Sequence, residues 1–111
     1  METLLVLYPT QPNPDAFKAH YVQNHIPLVR KLPGLRAFRY GFDVASLAGD
    51  ATFFCVFEGE FADGEALRAA MGSPEGRSVA EDVPKFAQVP PIILRYLAST
   101  TSDSGANPTS L

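Results

Sequence analysis

Two imidazoles stand five residues apart in the stretch FKAHYVQNHIPLVRKLPG, residues 17–34, and they are the only histidines in the chain. Imidazole changes its protonation near neutral pH, and partial burial tunes its affinity for a proton. Their neighbours differ. On a wheel of about 100° per residue, Phe17, Tyr21, Val22, His25, Ile26, Leu28, Val29 and Leu32 share an arc of roughly 180°, with His25 near its middle. His20 falls with Gln23, Asn24, Arg30 and Lys31 on the polar side, so it is expected at the surface. His25 is expected to point inward, one turn after Tyr21. There it is either a core imidazole satisfied by backbone or a tyrosine hydroxyl, or a group that moves protons in a cavity. Pro27 bears on that choice, because it lacks the N–H that would bond the carbonyl of Gln23. The helix should bend or loosen beside His25 and leave room there for a ligand or a water. A proline can equally well begin a second helical segment.

The other residue types that could do chemistry are spread along the chain. Tyr8, Tyr21, Tyr40 and Tyr96, with Phe38, Phe42, Phe53, Phe54 and Phe57, can line a flat apolar pocket in which tyrosine hydroxyls and Arg39 supply the orienting polar groups. The same residues can form an aromatic core and an interface between subunits. Asp82 lies in a helical stretch; it can orient an imidazole or bond a backbone amide, although a solvated carboxylate is the commoner fate. Cys55, the single cysteine, sits mid-strand among aromatics and reads as a buried, inert thiol. One cysteine excludes an intramolecular disulfide and an all-cysteine metal site. No His/Asp/Glu cluster has metal-ligand spacing, and His25 alone is insufficient reason to expect haem. No cofactor is expected.

The elements that must position these residues follow from periodicity and turn chemistry. Residues 2–8 (ETLLVLY) form an apolar run that reads as a strand. Asn13, Pro14 and Asp15 open a helix that extends to about Leu32, where Pro33-Gly34 stops it. Residues 35–45 and 51–60 read as an antiparallel hairpin across the loop SLAGD. Asp63 caps a helix that breaks near Gly72. SPEGRSVAEDVPKFA is a further helical piece interrupted by Pro84, and PPIILRYLA supplies a fourth strand with its prolines at the start. The order β-α-β-β-α-β is that of an α+β, ferredoxin-like fold: a four-stranded antiparallel sheet with helices on one face. The strands are apolar in succession (Leu4 to Leu7, Phe53 to Phe57, Ile92 to Leu94), so both sheet faces ask for cover and the helices supply one. A second copy packed against the open face, as a twofold homodimer, is the simplest source of the other.

The 111 residues make one domain, residues 1–98, followed at 99–111 by a tail nearly free of apolar side chains that is expected to be disordered. Net charge is −3 with the nine basic residues scattered. That distribution gives no phosphate-backbone footprint, and nucleic acid is not an expected partner. The start METLLVLYP lacks a basic region and is too short to span a membrane, so a cytoplasmic protein with no membrane partner is expected.

Phe17, Tyr21-x3-His25-x-Pro27-Leu28 and Leu32-Pro33-Gly34-Leu35 together resemble the signature of the EthD family, named after a protein of ethyl tert-butyl ether degradation. The likeness extends to the LLVLYP start, the hairpin, and Ser73, Pro74, Glu75, Gly76, Asp82 and Phe86. The chain has His20-Tyr21 where the family often has two tyrosines. The resemblance implies a dimeric α/β barrel. Related barrels include cofactor-free muconolactone isomerases and polyketide cyclases or dehydratases, and in them the helix histidine is a proton-transfer candidate, which maps onto His25. The expectation is therefore a small cofactor-independent enzyme, an isomerase, cyclase or lyase, acting on a hydrophobic carbonyl, lactone or polyketide-like substrate. His25 is its catalytic candidate, and Tyr8, Tyr21, Phe38, Arg39, Tyr40, Phe57, Asp82 and Phe86 are candidate substrate contacts. The alternative is a non-catalytic protein that binds an apolar metabolite in the same cleft.

Overall fold

A computed structural model describes residues 1–50 and 52–99. The tail expected from residue 99 lies, from residue 100 onward, outside the described residues. Four strands, β1 (Glu2–Pro9), β2 (Ala37–Phe42), β3 (Phe53–Phe61) and β4 (Ile92–Leu97), form one antiparallel sheet in the order β2-β3-β1-β4. This is the ferredoxin-like α+β fold. The central pairing is long: Glu2 faces Phe61 and Val6 faces Phe57 across β1 and β3, and the register slips only between Tyr8 and Pro9. The strand β2 is shorter than the 35–45 expected, and Asp43 just beyond it takes a left-handed φ of 58°, a conformation aspartate tolerates in turns.

The helices are α1 (Pro14–His20), α2 (Ile26–Val29), α3 (Gly64–Gly72) and α4 (Pro74–Phe86), with a π-helical turn over Tyr21–His25 joining α1 to α2. Asn13, Asp63 and Ser73 cap α1, α3 and α4 by accepting from the amides of Ala16, Ala66 and Gly76. The single helix expected to about Leu32 is thus three consecutive helical segments, the last ending at Val29. Pro27 cannot donate to Gln23, and just before it the Ile26 amide reaches five residues back to the carbonyl of Tyr21. The extra residue in that turn is how the backbone accommodates the missing donor. Pro84 does not interrupt α4, which runs through it to Phe86. Lying in the last turn, the proline forfeits a single bond, and the Ala87 amide closes the helix on Val83 at 2.9 Å. Gly76 lets α4 approach α3, since a Cβ there would overlap the Ala70 carbonyl oxygen.

Alternation sends Leu4, Val6 and Tyr8 of β1, and Cys55 and Phe57 of β3, to the helix side, where all are buried. Phe17 lies at the centre of this core, with its ring stacked on Tyr21 at 5.5 Å and edge-on to Phe86 at 5.0 Å. Gln11 is a buried clamp: its amide donates to the carbonyls of Pro9 and Val89 and accepts from the amides of Gln88 and Val89, tying the exit of α4 to the end of β1. On the opposite face Leu5, Leu7 and Val56 are only half-buried, and Ile92 and Leu94 are exposed. Among the described residues no helix is long and apolar enough to cross a membrane.

Candidate functional site

The π turn decides which side chains meet. In a regular α-helix, residues five apart diverge by about 140° around the axis. Where bonds close from i to i+5, such residues come back onto one face. His20 and His25 flank this turn, and the structure brings them to one carboxylate. The Nδ1 of His25 lies 2.9 Å from one oxygen of Asp82, and the Nε2 of His20 lies 2.9 Å from the other. His20 is therefore not the surface residue that a regular wheel predicts. It is half-buried, stacks on Phe86 at 5.4 Å, and reaches Asn24 through Nδ1 at 3.3 Å. The wheel fails here because it assumes one angular step throughout and solvent on the whole polar arc, whereas α4 packs along that side.

An ionised carboxylate only accepts, so both imidazoles must donate to it: His25 through Nδ1–H and His20 through Nε2–H. This fixes the tautomer of His25 and leaves its Nε2 as the lone-pair nitrogen, without a hydrogen-bond partner among the described residues. The His25 and Asp82 side chains are 4% and 6% exposed, the His20 side chain 25%. Burial lowers the proton affinity of His25 below the usual 6.5, against the opposing pull of Asp82. Burial alone would raise Asp82, but the two imidazole donors prevail and hold it below 3.8. Asp82 is thus an ion at neutral pH, and His25 a neutral base beside it.

His25 lines a cleft of about 100 Å³ between the π turn, α4 and the helix side of β1 and β4. Leu4, Val6, Val29 and Val83 wall it, Tyr8, Tyr21 and Phe57 contribute rings, and Ile93 and Met71 are its exposed apolar side chains. Tyr21 stacks on the His25 ring at 5.3 Å, and Phe86 lies 4.7 Å from it. Burial raises both tyrosine hydroxyls well above 10, so each stays a neutral donor. Cys55 is pushed up to about 12 by burial and is an inert thiol in this setting.

Of the residues expected from sequence, His25, Tyr8, Tyr21 and Phe57 line this cleft, with Asp82 and Phe86 directly behind the imidazole. Tyr40 packs edge-on against Tyr21 at 5.5 Å, and Phe38 stacks with Phe57 at 5.8 Å, so these two back the cleft rather than line it. Arg39 is not brought to His25. It stands on the open face of the sheet, where Nε donates to Glu58 at 2.8 Å and the Tyr96 hydroxyl donates to the other Glu58 oxygen at 2.9 Å. These side chains border a separate, more polar hollow of about 230 Å³. Among the described residues no group of three or more His, Cys, Asp or Glu side chains is arranged to hold a metal ion.

Residues 11–90 match the model of the EthD domain. The chain belongs to the EthD family. It is 32% identical over 88 residues to an uncharacterized 11.0 kDa protein of the thcB–thcC intergenic region of Rhodococcus erythropolis, covering 78% of this chain and 84% of that one. It is also similar to the crystal structure of an EthD family protein from Bacillus halodurans, with a TM-score of 0.83 at 33% identity over 89% of this chain and 99% of the other. More distant structures share the fold alone. A dimeric ferredoxin-like protein from Bacteroides fragilis aligns with a TM-score of 0.63 at 12% identity, covering 86% of this chain and 93% of its own. A cofactor-independent oxygenase from Streptomyces nogalater gives 0.65 at 15%, covering 90% and 94%. A hydroxynitrile lyase from Passiflora edulis gives 0.70 at 14%, covering 91% and 95%. The EthD fold is thus shared with enzymes.

Proposed function

We propose that this EthD protein is a small acid–base enzyme in which His25 transfers a proton to or from carbon, or to a leaving oxygen, of a hydrophobic carbonyl or lactone substrate. One observation carries the proposal: a buried imidazole that lines an apolar cleft, its Nδ1–H fixed by an ionised carboxylate and its Nε2 left with an unshared lone pair. As a base, Nε2 takes the proton; the Asp82 charge stabilises the imidazolium that forms, and the same proton can return to another atom of the substrate. Tyr8 or Tyr21, held neutral by burial, donates to the oxygen on which negative charge develops. The cleft volume bounds what can enter. An apolar cavity of about 150 Å³ accommodates a benzene ring, so about 100 Å³ takes a small ring or branched apolar group, with the rest of the substrate lying out over Ile93 and Met71.

The fold neighbours that are an oxygenase without cofactor and a lyase support an enzyme of this size and kind. The exposed Ile92 and Leu94, with Leu5, Leu7 and Val56, support a homodimer through the open sheet face, as does the dimeric neighbour.

The test is hydrogen–deuterium exchange at carbon. The protein in D₂O is incubated with a panel of cyclic ketones and unsaturated lactones, and loss of the α-proton signals is followed by NMR. Exchange should be catalysed for at least one member and fall about 10²- to 10⁴-fold in His25→Gln. Full exchange by His25→Gln would end the acid–base reading. Saturable binding of a panel member with no exchange in the wild type would favour the alternative, a binding protein for an apolar metabolite, which the nearly all-apolar wall of the cleft also fits.

A further inference from the structure

Asp82 spends both oxygens on imidazoles, and the two imidazoles face different media. His25 looks into the apolar cleft, while His20 reaches solvent. We infer that His20 is a positioning residue that sets the charge His25 experiences: beyond the N–H each imidazole gives to Asp82, the carboxylate balances only one added proton, and a proton taken by His20 from solvent disarms the base in the cleft. The inference rests on the acid–base reading of His25 and adds to it the group through which the medium controls that base.

The geometry supplies the reason. With both imidazoles neutral, the cluster of His20, Asp82 and His25 carries the single negative charge of the carboxylate, and that charge stabilises an imidazolium at His25. His20 has its Nε2–H on Asp82 and its Nδ1 lone pair toward the Asn24 amide at the protein surface. Protonation at that Nδ1 needs only a turn of the exposed Asn24 amide to offer its oxygen. The His20–Asp82 unit then has no net charge, and an imidazolium at His25 loses its counter-ion and gains a cation across the carboxylate. Among the described residues nothing else nearby replaces that charge. Tyr8 from β1 and Tyr21 from the π turn pack at the pair, with Cys55 from β3 behind Tyr21, and all three are kept neutral by burial. Glu81 and Lys85 beside Asp82 on α4 are exposed and of opposite sign.

The experiment follows both imidazoles by ¹⁵N NMR in histidine-labelled protein across an acid titration, in the wild type, His20→Gln and His20→Arg. Gln keeps an N–H for Asp82 without a titratable charge, and Arg makes the cation permanent. In His20→Arg, His25 should take its proton only about one pH unit below the value in His20→Gln, a tenfold difference in proton concentration, as expected for a like charge at this range, with the wild type displaced from His20→Gln in the same direction. The His25 Nδ1–H resonance should also move as His20 titrates. If His20→Arg does not fold, the wild type against His20→Gln decides. A common His25 midpoint in wild type and variants, with no response to His20, overturns the inference. Coupling without loss of α-proton exchange in His25→Gln would leave the charge linkage standing and remove the catalytic reading; the reverse pattern would do the opposite.

Discussion

Asp82 and Glu58 are two carboxylates held in the same way, on opposite faces of one sheet. Each has one donor per oxygen: His20 and His25 at 2.9 Å for Asp82, Arg39 and Tyr96 at 2.8 and 2.9 Å for Glu58. Both are shifted toward the ionised form, Glu58 chiefly by the Tyr96 hydroxyl and Asp82 by its imidazoles against the cost of burial. What separates them is water. Asp82 and His25 are almost fully covered, whereas Glu58 is a quarter exposed and Arg39 is 83% exposed. A buried carboxylate cannot trade its partners for solvent, so its bonds fix geometry and protonation; an exposed one can, so the same bonds decide little. Equal distances therefore do not make equal sites.

The largest expected break in that comparison is Asp82→Ala. It strands two ring N–H groups, one of them buried, and should cost about 3 kcal/mol of unfolding free energy in urea. Glu58→Ala should cost well under about 1 kcal/mol by the same measurement; similar losses for the two would show that burial is not what distinguishes them. Next in size is assembly. Leu94→Arg places a charge on the open face and should shift the protein toward monomer in sedimentation, with α-proton exchange in the cleft maintained if that cleft is complete within one chain.

Acid should act on the buried pair in two steps. His25 binds its proton less readily folded than unfolded, so stability is full above 6.5 and falls as pH drops through that value toward the lower folded one. Asp82 contributes stability above 3.8 that is lost as pH falls through its depressed folded value. Urea midpoints should therefore decline in two stages, and Asp82→Ala should reduce the lower stage to the smaller part that Glu58 contributes and enlarge the upper, because the support for a charged His25 is gone. A stability profile flat between pH 7 and 5 would contradict this. The smallest expected effect is that of Arg39→Ala, whose unfolding midpoint should match the wild type at 0.15 M salt, where exposed pairs are screened.

Much of this was readable in order along the chain. The continuous apolar runs mark the four strands, Asn13 and Asp63 mark helix starts, and the 3.6-residue pattern puts Tyr21 and His25 on the inward face. Pro27 also announces a disturbed helix, since the absence of a donor is a covalent fact. The form of that disturbance was not readable: whether the ladder bends, restarts or takes in an extra residue depends on what packs against it. The i, i+5 spacing of His20 and His25 ahead of a proline is the one local signal of their convergence, and it gains meaning only once the turn is known to be π.

The sequence by itself determined a β-α-β-β-α-β chain with an inward imidazole beside a tyrosine, because periodicity and proline act over a few residues. Only the tertiary structure decided what that imidazole answers to. Asp82 lies 57 residues from His25 and 62 from His20, and no local pattern distinguishes it from a solvated carboxylate. It becomes the centre of the site because α4 packs along the π turn and removes the water that would otherwise compete for its oxygens.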